Sequence, residues 1–340
     1  MAFQEQPLVT VIMPLYNSED YVRATIQSIL GQTYSNFEFL IFNDGSTDSS
    51  GKIVNEFSDE RIVFYDNQKN YGYVKHLNDG IELARGKYIA RMDSDDISLP
   101  KRLETQVKFL EHNQEVGVCG TFASALRNNG DLYPIILPIQ DQEIKCYFLI
   151  GNPIFHPSVM VRKSVLDQYN IKYNPAHMPI EDAYMWHEMG KVSKLHNIPE
   201  HLLIYRTHEN QITNRMTDSA REKGAGFTLK YLKDYGFSLS NKQQNAFLKL
   251  RNFTAIEENV DYTTIIQTIN YLVEANNKSA IFNKNDFDNY LITEWKKLVN
   301  SVKVYHPALI PKIFFKKLMI NTPLSFKIRN ITKCLLHLNR

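Results

Sequence analysis

The 340-residue chain is 43% hydrophobic and 22% charged with a net charge of +2, a composition that fits a globular protein and argues against a disordered or fibrous one. It has no repeat of fixed period and no apolar run near the roughly 20 residues of a membrane span, so we expect neither a solenoid nor a membrane-spanning protein. The first residues, MAFQEQPLVTVIMPLYN, do not include the basic segment that begins a signal peptide. The three cysteines have neither metal-site nor disulfide spacing; they are Cys119, Cys146 and Cys334. We therefore expect no signal peptide and a reducing, cytoplasmic location.

In chain order, apolar runs alternate with amphipathic stretches over the first 125 residues. Continuous, β-branched runs predict strands, and apolar side chains at helical spacing predict helices. The strands are expected at 8–16, 37–44, 61–67, 87–93 and 116–124, and the helices at 17–30, 48–57, 73–83 and 101–112. Asn17 or Ser18 is expected to cap the first helix. This alternation predicts an α/β fold with a mostly parallel sheet covered by helices on both faces.

The rest of the chain changes character. From about Thr217 onward the pattern predicts amphipathic helices, with breaks near 241–245 and 276–289. Residues 295–340 carry ten Lys and Arg without an acid, whereas the residues before them hold 29 basic and 37 acidic groups, a net charge of −8. The tail also interleaves lysines with Phe, Ile, Leu and Met. It is either a helix packed on the acidic body or, as we favour, a helix lying on an anionic membrane surface.

Three polar clusters follow predicted strands, namely PLYN (14–17), NDGSTD (43–48) and MDSDD (92–96). Ligands of such folds bind at the carboxyl ends of the strands, so we expect the clusters to converge on one crevice. Two of them have a simpler explanation: NDGS can be a hairpin turn, and Asp96 or Ser98 can cap the next helix. A cap does not explain Asp93 and Asp95, because crowded carboxylates repel one another unless a cation or a hydrogen-bond donor lies among them. No glycine-rich phosphate loop follows the first strand, so the acids indicate a bridging metal.

Two further features are ambiguous by themselves. A lone His208 is more often a surface histidine than a ligand. Glu181 and Asp182, at the start of a predicted helix, are favoured there by the helix dipole.

The order of motifs VTVIMPLYN, FNDGSTDSS, NYGYVKHLNDGI, ARGKYIARMDSDD, GNPIFHPSVMVRKSVL, IEDAYMW and IYRTHENQ resembles the family 2 glycosyltransferases with the GT-A (Rossmann-like) fold. The later motifs are similar to those of bacterial lipooligosaccharide β-1,3-N-acetylglucosaminyltransferases. The resemblance covers about residues 7–215. It implies a GT-A domain over 1–215, with a nucleotide-binding half (1–125) and an acceptor and catalytic half (126–215), followed by a helical region over 216–340.

The resemblance also implies a donor site. Asp93, Ser94 and Asp95 match the D-x-D motif, in which Asp95 holds a divalent cation and Asp93 reaches the ribose. His208 matches a position that completes the coordination, and an imidazole among oxygen ligands favours Mn²⁺ over Mg²⁺. Arg206 would contact phosphate oxygens or support a residue that does.

The nucleotide pocket is implied in the same way. Asp44 matches the residue that accepts a hydrogen bond from the uracil N–H. Pro14, Tyr16 and Asn17 would line the base and ribose pocket, with Tyr16 stacked on the uracil. Lys75 would be a cation near base or phosphate, and Asn70 would shape the loop before it.

For the chemistry, the acceptor hydroxyl must lose a proton as it attacks the anomeric carbon. Asp182 matches the catalytic base of the family, with Glu181 as the alternative. A single base without a second, nucleophilic carboxylate implies direct displacement with inversion. His156 and Arg162 fall in the segment that the family uses around the acceptor.

The resemblance thus implies an inverting, metal-dependent enzyme that moves a sugar, with N-acetylglucosamine expected, from a UDP-sugar to a bacterial surface glycan such as lipooligosaccharide, O-antigen or capsule. A UDP-hexose or UDP-GalNAc donor is the nearest alternative, and a nucleotidyltransferase or an inactive sugar-nucleotide sensor are alternatives of another class. The expected partners are the UDP-sugar, a glycan or lipid-linked glycan, and the anionic surface of the inner face of the plasma membrane. No nucleic-acid partner is expected.

Overall fold

The computed structural model describes residues 8–127, 130–208, 217–252 and 261–301. Within them one sheet has nine strands: β1 (Val9–Leu15), β2 (Phe37–Asp44), β3 (Ile62–Asn67), β4 (Tyr88–Arg91), β5 (Ile97–Ser98), β6 (Val116–Leu126), β7 (Leu132–Ile135), β8 (Met160–Arg162) and β9 (Lys194–Arg206). Their order across the sheet is β3-β2-β1-β4-β8-β6-β9-β5, and β7 pairs with β6.

Parallel pairing dominates this sheet. β1 lies between β2 and β4 and is parallel to both, β3 is parallel to β2, and β9 is parallel to the long β6. The short strands β5, β7 and β8 pair antiparallel with their neighbours. The predicted mostly parallel α/β sheet is therefore confirmed.

The described helices are α1 (Val22–Leu30), α2 (Ser50–Asn55), α3 (Tyr73–Leu83), α4 (Arg102–His112), α5 (Asp141–Tyr147), α6 (Lys163–Tyr169), α7 (Glu181–Gly190), α8 (Thr217–Asp234), α9 (Asn241–Asn252), α10 (Tyr262–Ser279) and α11 (Lys284–Ser301).

Successive side chains of β1 face opposite layers of helices. Val11 and Met13 belong to a buried core together with Ile26 of α1 and Leu103 of α4. Ile12 points to the other layer, where it lies so close to Gly80 of α3 that a Cβ on this glycine would come within 2.7 Å of the isoleucine side chain. Burial of both faces explains why every residue of the strand except Thr10 is apolar, rather than every second one.

The described residues form two compact units. The first runs to Ile144 and resumes over Asn152–Gly224, and the second combines Lys145–Gly151 with the helices from Ala225 onward. The second unit has its own aromatic core, in which the ring of Phe282 stacks on Phe287 with centroids 5.0 Å apart. Among the described residues, no helix is both long and apolar enough to cross a bilayer.

Some predicted boundaries were wrong. The first helix begins at Val22 rather than at Asn17, because residues 17–20 are held in a turn by bonds to the segment after β2. Helix α9 begins at Asn241, where a break was expected, and the break lies over 235–240 instead. Residues 302–340, which hold most of the basic tail, lie outside the described part of the chain.

Candidate active site

The turns that follow β1, β2 and β4 meet at the carboxyl edge of the sheet. Asn17 Oδ1 accepts a 2.8 Å hydrogen bond from the Thr47 N–H, and the Ser18 N–H donates to Ser50 Oγ at 2.8 Å. The hydroxyl oxygens of Ser18 and Ser94 lie 2.7 Å apart. The three polar clusters of the sequence therefore form one continuous rim.

The turn after β2 requires a glycine. Gly45 has a φ of +68°, and a Cβ there would come within 2.7 Å of the Lys69 carbonyl carbon and 2.9 Å of the Asn70 nitrogen. The NDGS segment is consequently a site of close backbone approach, in which only glycine fits without strain.

Asp44 is buried beneath this turn. Its carboxylate accepts hydrogen bonds from the N–H groups of Tyr71 at 2.6 Å and Gly72 at 3.0 Å, and lies 2.7 Å from His76 Nε2. These contacts position the start of α3. The predicted bond from Asp44 to a uracil N–H stays a prediction.

The other predicted nucleotide contacts vary in accessibility. Tyr16 is 48% exposed, so its ring is available for stacking, whereas Pro14 is half-buried and Asn70 lies exposed in its loop. Lys75 forms an ion pair of 2.5 Å with Asp79 one helical turn away. It borders a cleft of about 300 Å³ over the stacked rings of Phe42 and Tyr65.

Three acids crowd the turn after β4. Carboxylate oxygens of Asp93, Asp95 and Asp96 all lie within 4.8 Å of one another. Asp96 is fully buried, and its Oδ1 accepts a 3.1 Å bond from the Arg206 N–H while its Oδ2 has no partner among the described residues. Burial, with the charges of Asp93 and Asp95, raises the pKa of Asp96 well above its usual range.

A buried arginine compensates one of these acids. Arg91, the last residue of β4, donates from Nη1 to Asp93 Oδ2 at 2.5 Å and makes a second contact with the same carboxylate. Burial nonetheless raises the pKa of Asp93 to about 6, with Arg91 opposing the rise. Sequence reasoning missed Arg91, although an arginine inside an apolar strand must find a buried anionic or carbonyl partner.

Asp95 pairs with His208 rather than with an arginine. Asp95 Oδ2 lies 2.8 Å from His208 Nε2, and both side chains are about one-fifth exposed. The histidine ring stacks on Tyr21, and Arg206 Nη1 donates a 2.8 Å bond to the Asp95 carbonyl. The two atoms share a hydrogen bond, and their separation matches the spacing of about 3 Å between adjacent ligands of a six-coordinate cation at about 2.1 Å. Mn²⁺ or Mg²⁺ would take the place of the shared proton.

A second acidic centre begins helix α7. Glu181 is buried, and its Oε1 accepts a 2.8 Å hydrogen bond from the hydroxyl of Tyr73. Asp182 is 14% exposed and accepts a 2.5 Å hydrogen bond from Asn152 Nδ2, with His156 Nδ1 3.8 Å away. Burial, followed by the charge of Glu181, raises the pKa of Asp182 to about 7.

His156 lies in the wall beside Asp182. Its Nε2 is 2.8 Å from the hydroxyl of Tyr173, and burial, followed by the charge of Arg91, lowers the pKa of the imidazole well below its usual range. The histidine is therefore neutral over the ordinary pH range. Tyr73, Asn152 and Tyr173 were all missed by the sequence analysis, because each is distant in the chain from its partner.

Arg162 does not belong to this site, which corrects the prediction that it lies near the acceptor. It pairs with Tyr88, at the amino end of β4, and so lies at the edge of the sheet opposite the acids. Its buried guanidinium donates to the carbonyls of Val116 and Leu110. Those bonds give it a structural role between β6 and α4.

Comparisons with known proteins agree with this geometry. Residues 10–169 match the model of Glycosyl transferase family 2. An uncharacterised glycosyltransferase of Haemophilus influenzae is 34% identical over 221 residues, which cover 61% of this chain and 68% of that protein. The chain belongs to the family 2 glycosyltransferases.

A second relative has a more specific name. The UDP-Glc:α-D-GlcNAc-diphosphoundecaprenol β-1,3-glucosyltransferase WfgD of Escherichia coli is 33% identical over 180 residues, covering 53% of this chain and 68% of WfgD. Among solved structures, TarS of S. aureus in complex with UDP-GlcNAc superposes with a TM-score of 0.55 at 16% identity, covering 90% of this chain and 81% of TarS. This likeness confirms the predicted GT-A fold of the family 2 glycosyltransferase.

Proposed function

We propose that this family 2 glycosyltransferase transfers a sugar from a UDP-sugar to a bacterial surface glycan, with inversion and with the help of a divalent cation. The observation that carries the proposal is the Asp95–His208 pair, 2.8 Å between oxygen and nitrogen, at the carboxyl edge of the sheet. An acid and an imidazole in such contact, next to two further acids, form a donor set suited to Mn²⁺.

The cation would be held by Asp95 and His208, and when bound it would neutralise the negative charge that the nucleoside diphosphate gains on leaving. Asp93 is already compensated by Arg91, so its carboxylate is better suited to fixing the loop and accepting hydrogen bonds from the ribose. Arg206 supports the same loop through the Asp95 carbonyl.

The exposed ring of Tyr16 is well placed to stack on the base, with Asn17 holding the turn beside it. The three present bonds of Asp44 leave about one of the four lone-pair sites of its carboxylate for the uracil N–H. WfgD is named for a UDP-glucose donor, and TarS has been solved in complex with UDP-GlcNAc, which supports a UDP-linked donor for this chain. The expected sugar is N-acetylglucosamine, with glucose as the alternative that WfgD favours.

Asp182 is the proposed general base. It is the more accessible of the two adjacent acids, and its pKa of about 7 lets it accept a proton near neutral pH. Asn152 fixes one carboxylate oxygen, and the neutral His156 lies beside it. Glu181 is turned away to Tyr73, so one carboxylate is left to take the proton from the acceptor hydroxyl. One base favours inversion, which yields a β-linked product from an α-linked donor.

The acceptor proposed is a glycan carried on a lipid, as in the name of WfgD. The basic tail, residues 295–340, would hold the enzyme at the anionic inner leaflet, where such an acceptor is anchored.

The test is UDP release upon incubation with UDP-GlcNAc, UDP-GalNAc and UDP-glucose, with and without deacylated lipooligosaccharide. With one of the three donors, we expect UDP release that requires the acceptor. Binding of a UDP-sugar without any turnover would indicate a sensor, and release of pyrophosphate from UTP with a sugar phosphate would indicate a nucleotidyltransferase.

A further inference from the structure

Among the described residues, one long apolar run is left partly exposed. Residues 132–139, which we name the β7 run, read LYPIILPI, and none of them is buried. Leu132 is 54% exposed, Tyr133 38% and Ile136 64%, so three of the eight exposed large hydrophobic side chains of the described residues fall within five positions. An apolar run is normally a buried strand, and an exposed one marks an interaction surface.

The β7 run borders the candidate metal site. Leu126 of β6 pairs with Leu132 on one side and with Arg206 on the other. Since neighbouring strands are about 4.8 Å apart, the backbones of Leu132 and Arg206 are about 10 Å apart. Arg206 in turn donates to the carbonyl of Asp95. The run therefore lies at the same edge of the sheet as the candidate metal site.

The chemistry of the strand argues against a protein strand as its occupant. In the described part of the chain β7 pairs with β6 alone, so its outer edge is open. Pro134 stands in the middle of this edge and has no N–H to donate. Proline at an edge strand hinders the addition of another strand, including one from a second copy of this chain.

The ends of the β7 run differ in polarity. The Arg127 guanidinium carbon lies 3.6 Å from the centroid of the Tyr133 ring, and the Tyr133 hydroxyl donates to Asp131 Oδ2 at 3.4 Å. Polar groups thus gather at the turn between β6 and β7, and Leu132 and Ile136 present aliphatic surface beside them. An exposed Arg–Tyr pair next to aliphatic side chains suits the boundary between phosphate headgroups and hydrocarbon.

We propose that the β7 run docks into the surface of the bilayer that carries a lipid-diphosphate-linked acceptor. This inference rests on the proposed function, since it assigns the acceptor to the lipid-linked class. The docking is apolar and therefore withstands salt, whereas attraction of the basic tail to anionic lipid is screened by it. The run would place the sheet edge with Asp95 against the membrane from which the acceptor sugar projects.

The experiment is flotation of the full-length protein with phosphatidylcholine vesicles in high salt, which suppresses the contribution of the tail. The variant is Leu132→Ser with Ile136→Ser, and the matched control is Leu83→Ser with Val192→Ser, two aliphatic side chains exposed elsewhere. Because all four side chains are exposed, both variants should keep the melting temperature of the wild type. We expect the β7 variant to partition into vesicles roughly 10- to 100-fold less than the wild type, and the control to partition normally.

A second arm compares transfer to α-GlcNAc diphosphate on undecaprenol in these vesicles with transfer to the same sugar diphosphate on a short octyl chain in solution. We expect the β7 variant to be slower with the vesicle-bound acceptor alone. Equal flotation of both variants, or absence of flotation by the wild type, would overturn the inference. A change of oligomeric state in the β7 variant would assign the surface to a second copy instead. Loss of transfer by the wild type to both acceptors, with flotation intact, would contradict the proposed acceptor and not the docking.

Discussion

The hydroxyl of Tyr73 donates a 2.8 Å hydrogen bond to Glu181, and this bond distinguishes two acids that are adjacent in the chain. Glu181 is held in the interior by α3, whereas Asp182 keeps an exposed edge beside Asn152. Burial, and after it the charge of the neighbouring Glu181, raises the pKa of Asp182 to about 7. Asp182 is therefore the acid that is accessible from solvent, and the charge of Glu181 helps to raise its pKa.

The first prediction separates these acids by nearly isosteric substitution. Asp182→Asn should retain UDP-sugar binding and lose turnover by about 10³-fold, because the amide cannot accept the proton of the acceptor. Glu181→Gln can keep its bond to Tyr73 and should lose much less. Single-turnover kinetics with calorimetric binding measures both. A nearly active Asp182→Asn beside an inactive Glu181→Gln would show that the base is Glu181.

The second prediction concerns pH. A general base works in its deprotonated form, so kcat/KM should rise about tenfold per pH unit up to pH about 7 and then level off, following the pKa of Asp182. Glu181→Gln removes the neighbouring negative charge and should move this limb to lower pH. Burial, followed by the charge of Arg91, lowers the pKa of His156 well below its usual range, so this histidine should not add a second limb near pH 7. The profile of kcat/KM for wild type and variant is the measurement, and an unmoved limb in Glu181→Gln would argue against Asp182 as its source.

The third prediction concerns the cation. EDTA should abolish transfer and Mn²⁺ should restore it best, since Asp95 and His208 offer one oxygen and one imidazole ligand. Asp95→Ala should lower kcat/KM by about 10³-fold, the equivalent of several kcal/mol of charge stabilisation, without a change in melting temperature. Asp167→Asn, a surface acid paired with Lys163, is the control and should behave as the wild type. Full activity in EDTA would refute the metal.

The fourth prediction concerns the basic tail. Removal of the residues after Val304 should abolish the salt-sensitive part of the sedimentation with anionic liposomes, leave the salt-resistant part that the β7 run supports, and keep activity on a soluble acceptor intact. In the full-length chain, Lys316→Glu with Lys317→Glu should weaken sedimentation in the same direction, since each basic residue contributes about 1 kcal/mol near an anionic surface. Binding by the wild type should fall with rising salt. If the salt-sensitive binding survives truncation, or the shortened chain aggregates, the tail is packed on the protein instead.

Much of the first half of the fold was predictable from local pattern. Phe37–Asp44 and Tyr73–Leu83 were predicted to the residue, because an apolar run and a helical stripe are each bounded by turn residues. The start of α1 was not, since Asn17 is held by the N–H of Thr47, thirty positions along the chain. Contacts of this kind have no local signal in the sequence.

The candidate site shows the same division. Asp93 and Asp95 stand out because charge that follows a buried strand requires a reason. The prediction for Arg162 was wrong. The sequence does not distinguish a buried arginine that donates to backbone carbonyls from one that binds a ligand. The bond from Tyr73 to Glu181 joins residues 108 positions apart, and the sequence contains no indication of it.

The most direct test of the account is the anomeric configuration of the product. NMR would monitor the reaction of the donor, UDP-α-GlcNAc or whichever UDP-sugar proves active, with an acceptor and Mn²⁺. If Asp182 is the single base of a direct displacement, the wild type gives a β-linked product and Asp182→Asn gives almost none. An α-linked product, or a β-linked product formed equally fast by Asp182→Asn, would contradict it.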